Sequence, residues 1–122
     1  MMTTLISAAL LSVSAQATTP DNAAAATKLS QESKAVLRCS AAFALISYGQ
    51  ANGHEDALKW PDVTTRGREF FVRSMAQMMD ETGLDRDGIA DLVGKEAQRL
   101  ADNGEVQKVM PACLVMLDSS GV

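Results

Sequence analysis

Thirteen residues, Ala35 to Ser47, carry only three polar side chains: Arg38, Ser40 and Ser47. A helix that is apolar nearly all the way round buries most of its circumference, so the rest of such a chain has to wrap about it. The same stretch holds Cys39, one of only two cysteines; the other, Cys113, lies close to the end of the sequence. A bond between them would tie the last helix to the central one. The expected object is all-α, a compact four-helix bundle with one disulfide.

The rest of the composition agrees. The 122 residues suffice for one domain and not two. Val, Ile and Thr do not alternate with polar residues, and alanine is abundant, which favours helix over strand. Eleven Lys and Arg against fifteen Asp and Glu give a net charge of −4. Nucleic acid is not expected as a partner, because that binding begins from a basic patch.

Residues 1–17 read as a signal peptide. Leu5 to Val13 is a short apolar run, and Ala15-Gln16-Ala17 has the small-x-small form of a cleavage site. The run is too short to span a bilayer, so the cleaved chain is not expected to cross a membrane. Met1 to Thr4 lacks the basic residue that usually opens such a signal. Export to the periplasm or beyond makes Cys39 and Cys113 a structural disulfide rather than two buried thiols. It would close a loop of about 75 residues, worth roughly 4 kcal/mol by loss of chain entropy in the unfolded state.

Residues 18–28 read as a flexible tail, and residues 29–118 as the helical domain. Asp21 is a possible cap for the alanines of Ala23 to Ala26, but they have little to bury. The first firm helix is expected from Ser30, its cap, to Gln50. Val36, Cys39, Phe43 and Ile46 form one stripe, with Leu37, Ala44 and Tyr48 beside it. A second helix is expected over residues 65–82, stopped by Gly83. Its inner face would be Phe71, Val72, Met75, Met78, Met79 and Thr82, with Phe70 outside. A third runs from its cap Asp85 to Gly104, and a fourth over residues 105–118 with Pro111 inside it.

Several residues invite a chemical reading. His54, the only histidine, sits in a loop beside Glu55 and Asp56 with no nucleophile motif near it, so a catalytic constellation is not expected. Asp85-Arg86-Asp87-Gly88 resembles a calcium loop, but Gly83 and Gly94 stand where its first and last ligands belong. Met75, Met78 and Met79 share one helical turn; thioethers suit Cu(I), yet at this spacing they more often fill a core. No cofactor motif is present.

Thr64, Thr65, Arg66 and Arg68 open the second helix, where acids rather than arginines are favoured. Two hydroxyls, two guanidinium groups and free N–H groups there could hold a phosphate or carboxylate. Otherwise the arginines pair with nearby acids. Glu96 falls inside the apolar stripe of the third helix, where a carboxylate needs a partner or a raised pKa. It is a candidate buried acid.

Four segments carry a resemblance: Cys39-Ser40-Ala41-Ala42-Phe43-Ala44, Arg66-Gly67-Arg68-Glu69-Phe70-Phe71, Met79-Asp80-Glu81-Thr82-Gly83-Leu84 and Met110-Pro111-Ala112-Cys113. Through them residues 29–118 resemble small, uncharacterised exported two-cysteine helical proteins of Gram-negative bacteria. The resemblance implies export and fold, not activity. In architecture alone the chain is also similar to periplasmic acid chaperones of the HdeA type, which would imply opening at low pH and client binding. The function expected is a non-enzymatic exported module that binds a protein or small-molecule partner. The alternative is a ligand or metal site at the Met75/Met78/Met79 cluster or an anion site at Thr64 to Arg68.

Overall fold

The computed structural model describes residues 22–122. The proposed signal peptide and the start of the proposed tail lie outside them. Six helices, not four, follow one another among the described residues: α1 (Asn22–Ala26), α2 (Gln31–Ala51), α3 (Glu55–Leu58), α4 (Thr64–Thr82), α5 (Arg86–Asp102) and α6 (Val106–Ser119). The four long ones fall within two residues of their expected bounds. The two short ones come from segments read as tail and loop. Helix α1 packs against α5, and Ala26 and Leu29 join the core there, so part of the presumed tail does bury something.

Local signals explain the boundaries. Ser30 Oγ accepts from the N–H of Ser33 at the start of α2. Asp85 Oδ1 accepts from the N–H of Gly88 at the start of α5. Gly83 adopts φ 73°, a left-handed conformation that costs glycine little, and so ends α4.

Helix α2 is the hub, packing on α3, α4, α5 and α6. Its Ala41, Ala42, Phe43 and Ile46 are buried with Leu100 of α5 and Met110 and Leu117 of α6. Cys39 and Cys113 are bonded, with Cα atoms 5.2 Å apart. A second cluster of Leu29, Leu37, Met78, Ile89 and Leu92 lies where α2 meets α4 and α5. Val36 and Val93 touch both clusters, so the two form one continuous core.

The face of α4 differs from expectation. Phe70 is 3% exposed and meets Phe43 edge-to-face at 5.6 Å, whereas Val72 is 53% exposed. The cause is Gly67: a Cβ there would stand 2.9 Å from Phe43 Cβ, so the missing side chain lets α4 approach α2 along the face of Val63, Gly67 and Phe70. The second stripe on α2 also ends early, because Ala44 and Tyr48 are exposed and Leu37 alone is buried.

Candidate functional site

A cleft opens where α2 ends, and a glycine shapes it. Gly49 lets α3 close onto α2, since a Cβ on it would fall 2.6 Å from Ala57 Cβ. Gly53, at φ 71°, turns the chain, and the N–H of His54 donates back to the carbonyl of Gly49 at 2.9 Å. The result is a cleft of about 510 Å³ between α2, α3, α5 and α6. Leu45, Ile46 and Val106 make its apolar side, and His54, Glu55 and Asp56 its polar side. The His54 ring meets exposed Tyr48 edge-to-face at 6.1 Å.

Two glutamines brace this end, and no sequence signal marked either. Gln50 Nε2 donates to the carbonyls of Ala57, Trp60 and Pro61, at 3.2, 3.2 and 2.9 Å. One amide, its two N–H groups shared among three carbonyls, thereby holds the α3–α4 connection. Trp60 Nε1 donates to Gln107 Oε1 at 2.8 Å, while Gln107 Nε2 donates to the carbonyl of Asp56 at 3.2 Å. That pair ties the connection to α6. Unlike capping serines or turn glycines, a glutamine working at long range leaves no local pattern.

The residues at the α4 start do not act as one group. Arg66 Nε donates to the main-chain oxygen of Val122 and its Nη2 to Asp118, at 3.0 and 2.9 Å. Thr64 Oγ1 accepts from Ser47 Oγ at 3.0 Å. The Thr64 N–H donates to Asp62 Oδ1 at 2.9 Å, so an acid of the chain's own already sits at this helix start. The Thr64 N–H and hydroxyl hold the Asp62 carboxyl below the usual carboxylate range. Arg68 is exposed and makes no hydrogen bond or ion pair among the described residues.

Glu96 is met by an arginine. Its side chain is 18% exposed and takes two hydrogen bonds from Arg99, to Oε1 at 2.6 Å and Oε2 at 3.0 Å. Arg99 Nη1 also reaches Glu105 at 3.0 Å. The hydrogen bonds that Arg99 donates to Glu96, and to a lesser extent to Glu105, hold the guanidinium charged. Met78 is buried in the second cluster, with Met75 and Met79 packed against it, which is how a flexible thioether fills an irregular core.

A further acid was not singled out in the sequence. One oxygen of Glu81, Oε2, is closed off from solvent without a close hydrogen bond. The carboxyl is nonetheless held below its ordinary range by the Ser33 hydroxyl, with Ser30 and Gln77 adding to the effect against the cost of burial. Glu81 thus lies at the N-terminal end of α2, where a negative charge is favoured. No helix among the described residues is long and apolar enough to cross a membrane. No family model, curated protein or solved structure matches the chain.

Proposed function

We propose that this is a small exported, non-enzymatic binding protein whose disulfide-tied helices present a cleft to a small-molecule ligand. The observation that carries this reading is the cleft itself. At about 510 Å³ it falls within the size of ordinary ligand pockets, and it joins an apolar side to a polar one. Its walls are rigidly supported by Gln50, Gln107 and the close approach at Gly49. Export to the periplasm or beyond is part of the proposal. It is supported by the Leu5–Val13 run, the Ala15-Gln16-Ala17 site and the bonded cysteines.

A screen of fragment-sized molecules by thermal unfolding tests the reading. Ala101 lines the cleft and is exposed, so Ala101→Trp fills it without entering the core. A true ligand at ten times its Kd raises the melting temperature by about 5 °C. It should do so in the parent and not in Ala101→Trp. Hits that act equally on both, or no hits at all, reject the cleft as the site.

A second reading, an acid-opened chaperone, has one contact in its favour: Glu81 against the start of α2. Protonation removes a charge that favours the helix end and loosens α4 from α2. Client binding that begins only below the Glu range in the parent, and appears already at neutral pH in the uncharged Glu81→Gln, would support it over the small-molecule reading.

A further inference from the structure

Between α2 and α4, away from the large cleft, lies a cavity of about 230 Å³. Phe43, Ala44 and Phe71 give it apolar walls, and Ser40, Ser47, Thr64 and Arg68 supply its polar groups. Ser47 and Thr64 satisfy each other. Ser40 is different: it is 4% exposed, and its Oγ makes no hydrogen bond. A buried hydroxyl without a partner is a cost to the fold that a bound acceptor or donor would recover. Arg68, on the same cavity, is equally without a partner among the described residues.

We infer that this cavity binds a small organic monocarboxylate, its apolar body between Phe43 and Phe71, its carboxylate on Arg68, and Ser40 as the buried polar contact. Size and charge choose the class. The volume lies below the range of drug-sized pockets, so the occupant is small. One free guanidinium matches one negative charge. Asp62, bonded to the Thr64 N–H, makes the adjoining helix start hostile to a dianion such as phosphate. Arg66 takes no part, being engaged with Asp118 and Val122. The site shares no lining residue with the large cleft, so either can fail without the other.

The test is an amide NMR titration of the chain with its disulfide intact, using sodium benzoate, sodium hexanoate and inorganic phosphate at matched ionic strength. Benzoate or hexanoate should move the amides of Ser40, Ala44, Thr64, Arg68 and Phe71 saturably, with phosphate at least about tenfold weaker. Arg68→Gln should weaken benzoate binding about tenfold, and Arg68→Lys should restore part of it. Ser40→Ala should weaken binding severalfold while leaving the melting temperature equal or higher, because it removes an unsatisfied group. The inference is overturned by no saturable shift up to about 50 mM, by phosphate binding as well as benzoate, or by undiminished affinity in Arg68→Gln or Ser40→Ala.

Discussion

Replacing Cys39 and Cys113 together by alanine removes the covalent tie between α2 and α6 and leaves every other side chain in place. The cysteines are 74 positions apart, so the bond restricts most of the described chain in the unfolded state. Chain-entropy reasoning gives about 4 kcal/mol for a loop of that length. Both residues are buried, at 4% and 1% exposure, beside Phe43 and Met110 in the first cluster, so the lost sulfur contacts add to that figure rather than offset it. Small domains are stable by about 5–15 kcal/mol, so the variant should lose a large share of its stability without losing its helices in dilute buffer.

Urea unfolding reads this out, followed by helix ellipticity and by the fluorescence of Trp60, the only tryptophan. The midpoint should fall, and the slope should rise, because an uncrosslinked unfolded chain exposes more surface. A loss under about 1 kcal/mol with an unchanged slope would refute the loop-entropy account. It would mean that the α2–α6 contact holds together without the bond. Chemical reduction of the parent protein should reproduce the variant.

Other perturbations separate the contacts that matter from those that do not. Phe70→Ala should cost about 3–5 kcal/mol by emptying the space against Phe43, while Val72→Ala changes stability by under about 0.5 kcal/mol; urea midpoints compare them directly. Asp118→Ala removes an ion pair whose side chains are 42% and 70% exposed, so it should cost less than about 1 kcal/mol in the same assay. The Glu81 carboxyl is held below the ordinary Glu value of about 4.3, so its contact stabilises fully above that pH and is lost as pH falls through the folded value. Glu81→Gln should therefore flatten the acid limb of stability against pH, and an unchanged limb would assign acid sensitivity elsewhere.

What could be read from the sequence was what repeats along a helix or caps its end. The α2 hub, Ser30, Gly83, Asp85 and the inward Met78 all announce themselves within one or two turns of chain. The pairing of Cys39 with Cys113 followed from there being only two cysteines. Phe70 and Phe71 could not be ordered the same way. Periodicity gives a helix one apolar face, but α4 serves two clusters, with Phe70 on the first and Phe71 and Met78 on the second. What selects Phe70 is the absence of a side chain at Gly67, whose meaning appears only once α2 lies 2.9 Å from where its Cβ would be.

The same asymmetry governs the candidate sites. Charged residues conspicuous in the sequence are largely committed to other parts of the chain: Arg66 to Asp118 and Val122, and Glu96 to Arg99. The groups left with something to bind are quieter ones. Ser40 drew notice only as one of three polar residues on an apolar helix, and Gly49 shapes the large cleft by what it lacks. Both lie on α2, so the helix that organises the core also borders each cavity. A ligand in either cavity therefore presses on the element that every other long helix packs against, and its binding should register as global stability rather than as a local change.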